Sequence, residues 1–362
     1  MMRPLRLAMG ESTPNSSVTL RDVARRLNIS HSTVSRALRD DPRISAAVRE
    51  KVQHLAREMG YRPNPMATGL NLWRASKDRT AIHSELAWLN HWRDPGEFHH
   101  FRTIDGYWRG AYAAAAQHGY RLEEFVANDP ASLQATAKVL RARNISGILI
   151  MPGQLQDIPD RAWDEFPWQD FSVVRFGRRI THPRFHIVTA SQTFDCLMAC
   201  EKMTERGYKR IGMATFEQTA GWNGYLGGYL MAQSNIKASQ RLGFLIKERG
   251  LNQKAFERWL AEAKPDAILT DLIEVPAALK RAGYRVPKDI GLAVLNVSDI
   301  KADAGIYQFP EETGQVAIET LLSLIYHNHR GIPKVPREVL VCGQWQDGST
   351  LPPRRPSQRR SP

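Results

Sequence analysis

The chain is 362 residues long, carries 50 Lys and Arg against 37 Asp and Glu, and has a net charge of +13 at pH 7. It contains no apolar stretch of about 18 residues, which excludes a membrane-spanning helix. Its three cysteines include no CxxC spacing, which excludes a disulfide framework and a cysteine zinc site.

The first 17 residues hold Arg3 and Arg6 but no apolar run long enough for a secretory signal, so a disordered segment of a cytoplasmic protein is expected. From residue 18 the spacing becomes that of short helices. Thr19 and Asp22 form a T-x-x-D capping box ahead of Leu20, Val23, Ala24 and Leu27, an apolar stripe at helical spacing. Asn28-Ile29-Ser30 is a tight connection. Ser30 caps a second helix that turns Val34, Ala37 and Leu38 inward and leaves His31, Ser32, Ser35 and Arg36 outward. Two helices of about two turns joined by three or four residues make a helix-turn-helix unit, whose second helix lies in the major groove and reads base edges. The plainer alternative for the outward residues is a solvated helix face. A third helix, capped by Ser45 and closed by Gly60, carries Val48, Val52, Leu55, Ala56 and Met59 and supplies the core that the pair lacks.

Asn64 and Pro65 then open a fourth helix, with Met66, Ala67 and Leu70 on it. Isolated helices below about 12 residues are marginal in water, and Gly69 weakens this one by roughly 1 kcal/mol relative to Ala. Such a hinge is expected to order only when DNA and a second copy supply contacts, with Leu70 as an apolar wedge in the minor groove. Charge agrees. Residues 1–80 hold 15 basic against 7 acidic residues, a net +8, and the tail from Pro352 adds +4, leaving the long middle near neutral. Positive charge clustered at one end suits a polyanion, whose binding releases counterions and weakens with salt.

The run VTLRDVARRLNISHSTVSRAL, followed by SAAVREKV, GYRPN and NPMATGL, resembles the headpiece and hinge of the lactose-repressor (LacI/GalR) family of bacterial transcriptional regulators. The resemblance implies a homodimer on a pseudopalindromic operator in double-stranded DNA. It implies base reading by His31, Ser32 and Arg36, and phosphate contacts by Thr19, Arg21, Thr33, Ser35, Arg39 and Arg43. Asn64, Ala67 and Leu70 would form the minor-groove hinge.

About 270 residues follow, enough for two lobes of an α/β domain. Leu86–Leu89, Gly147–Pro152, Phe171–Phe176, Arg210–Ala214, Ala267–Thr270 and Gly291–Leu295 read as strands, and Ile104–His118 and Phe194–Glu205 as helices. Continuous apolar strands between helices indicate parallel βαβ units. GILIMP, ERGYKRIGM, KPDAILTD, AGYRVPKDIGL and YQFPEETG resemble, in order, the same family's core, which is like the type I periplasmic sugar-binding proteins. The expected organisation is a disordered segment over 1–17, a helix-turn-helix domain over 18–62, and a hinge helix and linker over 63–79. An effector-binding and dimerisation core follows over 80–351, and a disordered basic tail over 352–362.

Open α/β sheets hold ligands outside the carboxyl ends of their strands, so the effector cleft is expected near residues 90–103, Arg175, Phe176, Trp222, Tyr225, Asp271 and Asn296, with Phe101 in the first loop. Here the chain departs from its family's pattern. Tyr225 stands where an Arg commonly grips a polar effector, Asn296-Val297 where an Asp pair is usual, and Ser191 where an Asp follows Val188; Asp271 does match. Such a cleft is expected to favour a less polar ligand, another hydrogen-bonding pattern, or no ligand, so the effector is expected to be carbohydrate-like or an atypical, less polar molecule. Trp222 and Tyr225 either stack on that ligand or belong to the core.

Cys196 and Cys200 are expected to be buried thiols in a reducing compartment. His99-His100 and His327/His329 lack carboxylate partners at helical spacing, so no metal or cofactor is expected. The tail adds nonspecific DNA affinity or is simply solvated. No Gly-rich phosphate loop, nucleophile elbow or catalytic acid pair is present, so no enzyme is expected. The expectation is a dimeric, effector-responsive repressor that binds no membrane; the alternative is an effector-independent DNA-binding regulator whose core serves mainly for dimerisation.

Overall fold

The computed structural model describes residues 18–38, 41, 43–61, 84–153, 160–178, 182–216, 224–247 and 250–354. Arg39, the hinge residues Asn64, Ala67 and Leu70, the cleft candidate Trp222, and the segments read as a disordered N-terminus and a linker lie outside them. The chain divides into two compact units, residues 1–78 and 79–362.

In the first unit, α1 (Leu20–Leu27), α2 (His31–Leu38) and α3 (Ala46–Glu58) surround a small core of Val23, Val34, Ala37 and Val52, closed over by Leu20, Leu27, Ile44, Val48 and Leu55. The expected caps hold at two of three starts. Asp22 accepts from the Thr19 amide at 2.9 Å and from its hydroxyl at 2.6 Å, and the Ser30 hydroxyl accepts from the Thr33 amide at 3.1 Å. Ser45 stands at the start of α3, but its side chain makes no cap bond, which corrects the expectation. Asn28 in the left-handed region (φ 51°) ends α1, and Gly60 (φ 69°) follows α3.

The second unit has two α/β lobes. The first lobe's sheet contains β1 (Ser84–Asn90), β2 (Tyr120–Val126), β3 (Gly147–Ile150), β4 (Ser172–Phe176) and β5 (His186–Ala190). The second contains β6 (Ile211–Phe216), β7 (Leu245–Lys247), β8 (Ala267–Thr270), β9 (Gly291–Val294) and β10 (Gly305–Tyr307). Near the end of the chain β11 (Glu338–Val341) returns to the first sheet and β12 (Gln344–Gln346) to the second. The orders are β11-β5-β4-β3-β1-β2 and β12-β10-β9-β8-β6-β7; every pairing is parallel except β10 with β12. The runs GILI, SVVRF, AILT and GLAV are buried along their whole length, which is why they read as largely apolar strands, with Arg175 the one charge among them.

Helices α4 (Arg102–Gln117), α5 (Pro130–Ala142), α6 (Asp160–Asp164) and α11 (Pro310–Tyr326) cover the first sheet. Helices α7 (Gln192–Glu205), α8 (Gly224–Ser234), α9 (Gln253–Ala263) and α10 (Val275–Arg281) cover the second. Helices α4 and α11 touch backbone to backbone: a Cβ at Gly110 would overlap the Glu311 carbonyl, and one at Gly314 the Tyr107 carbonyl.

The backbone passes between the lobes three times, at Ser191, at Gln308-Phe309 and at Cys342-Gly343. Two crossings are laced together, since the Ser191 amide donates to the Val341 carbonyl (2.9 Å) and the Gly343 amide to Asp195 Oδ1 (2.8 Å). Cys196 and Cys200 are buried as expected, but Cys342 is exposed at its crossing. Of the tail expected to be disordered, residues 352–354 lie among those described, and 355–362 lie outside them. Arg354 donates to Asp266 at 3.0 Å and lies 4.4 Å over the Tyr208 ring, because a carboxylate and an aromatic face receive its charge.

Candidate nucleic-acid interface and inter-lobe cleft

Helix α2 has one face in the core and one in solvent. Val34 and Ala37 are fully buried, whereas His31, Ser32 and Arg36 are exposed and Thr33 and Ser35 half-buried. The Ser30 hydroxyl lies 2.8 Å from the hydroxyls of both Ser32 and Thr33, so the cap that starts the helix also sets two of the candidate DNA-contacting groups. Around α2, Thr19 and Arg21 are exposed on α1 and its cap. Arg43 is exposed but already committed: Asp41 holds it bidentately at 2.7 and 3.0 Å and raises its guanidinium pKa. Three base-reading candidates thus share one accessible helix face with phosphate candidates beside it.

In the second unit, the carboxyl ends of the strands bring several expected cleft residues together. Asn296, just beyond β9, donates through Nδ2 to Thr103 Oγ1 (2.6 Å) in the first lobe and to Asp299 Oδ2 (2.9 Å). Asp299 Oδ1 in turn accepts from the Thr103 amide (3.2 Å), the second residue of α4. A carboxylate of one lobe therefore caps a helix of the other, where no side chain of α4's own flank does so. The donors that sequence reading offered to a ligand are taken by the protein itself. Beside this latch a pocket of about 390 Å³ opens between His100, Phe101 and Arg102 on one lobe and Ile273, Ser298 and Lys301 on the other.

The remaining cleft residues divide. Phe101 lines the pocket and packs edge-on against Trp92, 5.5 Å between centroids. Tyr225 is buried, its hydroxyl receiving 2.6 Å from Gln308 Nε2 at the second crossing, and burial pushes its pKa far up. Asp271 is half-buried, and its charge bears on Tyr225 and Cys196. Phe176 is a correction: at 2% exposure it is stacked on Tyr107 (4.9 Å) and packed against Trp88 (5.4 Å), so its ring is core and offers no cleft surface.

Sequence reading reached Thr103 only as the end of the range 90–103, and missed Asp299 and Asp195. Asp195 lies in the first turn of α7 with no exposure, one oxygen on the Gly343 amide and the other without a hydrogen bond, and burial raises it to about 6. Its signal was an acid between Phe194 and Cys196 on an otherwise apolar helix face. Among the described residues no group of three His, Cys, Asp or Glu is placed to hold a metal, and no helix is long and apolar enough to cross a membrane.

With this geometry in hand, comparison with known proteins is specific. Residues 19–64 match bacterial regulatory proteins, lacI family, and residues 200–351 a periplasmic binding protein-like domain. The HTH-type transcriptional repressor CytR of Escherichia coli is 27% identical over 340 residues, covering 87% of this chain and 92% of the relative. Catabolite control protein A of Staphylococcus xylosus is 26% identical over 291 residues, covering 77% and 82%. Among solved structures, the transcriptional regulator CelR in complex with cellobiose has a TM-score of 0.58 at 18% identity, covering 92% of this chain and 99% of that one. The lac repressor dimer bound to operator and the anti-inducer ONPF has a TM-score of 0.52 at 16% identity, covering 93% and 99%. At these identities the solved structures speak for the fold.

Proposed function

The chain belongs to the lacI family of bacterial regulatory proteins, DNA-binding transcriptional regulators, and on that premise we propose that it is a cytoplasmic, dimeric repressor whose operator affinity is set by the state of its inter-lobe cleft. The observation that carries the DNA half is the exposed face of α2, where His31, Ser32 and Arg36 stand clear of a core that holds the helix rigid. They would read bases, with Thr19, Arg21, Thr33, Ser35, Arg39 and Arg43 on phosphates and Asn64, Ala67 and Leu70 in the minor groove. No enzymatic activity is proposed.

The observation that carries the regulatory half is the Thr103–Asn296–Asp299 latch. A ligand in the cleft shifts the lobes only if it binds their two arrangements unequally, and any ligand reaching Asn296 must compete with Thr103. The same latch favours a second reading, in which the lobes are held without any effector and the core serves mainly for dimerisation. Thr103→Val removes an acceptor at nearly constant volume, and Asn296→Ala removes the donor. Since a hydrogen bond contributes about 0.5–1.5 kcal/mol, both variants are expected to change the operator affinity of the ligand-free protein in the same direction, by about 2- to 12-fold, in a fluorescence-anisotropy titration. Unchanged affinity in both would remove the latch from the regulation.

A further inference from the structure

Arg175, next to last in β4, is 4% exposed, and its Nε and Nη1 are buried without a hydrogen-bond partner. Strand register sets it in one row with Ile150, Ile187 and Glu338 across β3, β5 and β11. Its neighbours Val174 and Phe176 turn the other way, into the packed layer with Trp88 and Tyr107. Burial lowers the guanidinium pKa to about 10; Glu338 opposes that shift while Arg178 and Arg184 add to it, so the group stays charged near neutrality. Glu338 is already engaged by Arg178, 2.8 Å away. Arg178 thus holds the carboxylate of that row, and the more buried Arg175 has no hydrogen bond to it.

A buried charge persists in a fold when something pairs with it. The guanidinium fork matches the two oxygens of a carboxylate or phosphate, and ligands of open α/β sheets bind outside the carboxyl ends of strands, where Arg175 stands. We propose that Arg175 is the recognition group of an oxyanion site, and that the small molecule acting on this protein carries a phosphate or carboxylate. The binding of an oxyanion stands by itself; only its effect on DNA rests on the effector reading above. Loss of the family's usual polar grips at Tyr225 and Asn296 then marks a change of ligand charge rather than a less polar ligand.

The test is thermal unfolding of the full chain with inorganic phosphate, ribose 5-phosphate, citrate or neutral ribose, for wild type, Arg175→Met and Arg175→Lys. At least one oxyanion should raise the wild-type midpoint in proportion to the logarithm of its concentration, and ribose should not. Arg175→Met should abolish the response; Arg175→Lys, which keeps the charge but not the fork, should weaken it by about tenfold. Without ligand, Arg175→Met should unfold at or above the wild-type midpoint, because it removes an unpaired buried charge. A response to phosphate equal to that to ribose 5-phosphate assigns the site to free phosphate; a larger one to ribose 5-phosphate or citrate assigns it to an anionic metabolite, and both support the site. No oxyanion response in wild type, an equal response in Arg175→Met, or a lower ligand-free midpoint for that variant would each overturn it. Anisotropy on operator DNA separates the two claims. Oxyanion binding that leaves operator affinity unchanged keeps the site and removes the effector reading, whereas a response of operator affinity to ribose alone removes the oxyanion proposal and keeps the effector.

Discussion

Replacing Arg36 with alanine is expected to reduce discrimination between operator and scrambled duplex by about 1–3 kcal/mol, a factor of roughly 5 to 150, while leaving the headpiece folded. The side chain is exposed on α2, and none of the described residues bonds its guanidinium. The flanking core positions Val34 and Ala37 are untouched, so truncation removes no packing. An arginine on base edges differs from one on phosphates in how its loss is distributed. Loss of a base contact falls on the operator, whereas loss of a phosphate contact falls about equally on all duplexes and lowers the salt slope by about one. Anisotropy titrations on both duplexes at two salt concentrations decide between them. Equal loss on both would return Arg36 to the phosphate set and leave His31 and Ser32 as the readers.

The second large effect concerns the lobe crossings. Asp195 is held at about 6 in the folded chain against an ordinary value of 3.8, because burial penalises its carboxylate more than the Gly343 amide rewards it. The folded state thus binds this proton more tightly than the unfolded one. The stability it contributes is fully present below pH 3.8 and is lost as pH rises through 6. Asp195→Asn keeps an acceptor for the Gly343 amide and cannot ionise. Relative to wild type, the variant is expected to gain about 2 kcal/mol between pH 4 and pH 8, read from urea midpoints on the full chain. A difference that stays constant with pH would show that Asp195 does not titrate in this window. Because the Gly343 amide belongs to the third crossing, the same charge stands where the two lobes are joined.

Legibility in the sequence followed the distance between partners. The Thr19–Asp22 box and the Ser30 cap lie within three residues, and β3, β8 and β9 are short runs dominated by apolar residues, so these were readable directly. Strand β2 was missed because Arg121, Glu123 and Glu124 interrupt the apolar pattern of YRLEEFV. Strands β10, β11 and β12 are three or four residues each and gain definition only from their neighbours. The same limit governed the cleft. Asn296 was found from its place after a strand, but its partner Thr103 lies 193 residues away, and Gly343 lies 148 from Asp195. Phe176 was misplaced because a strand end was read as cleft; alternation along β4 puts it with Val174 on the packed face and leaves Arg175 on the other. The departures at Tyr225, Asn296 and Ser191 pointed to a less polar ligand, whereas the missing hydrogen bonds of the Arg175 guanidinium are a property of the fold and not of a motif.

The central claim is that two copies of this chain read a specific duplex through α2 and the hinge. Selection of duplexes bound by the full chain from a random pool tests it most directly. The account predicts a pseudopalindrome of two half-sites around a central pyrimidine–purine step, where a wedge opens the minor groove most easily, with enrichment lost for Arg36→Ala. A pool that yields no shared sequence, or a single half-site without its mate, would contradict it.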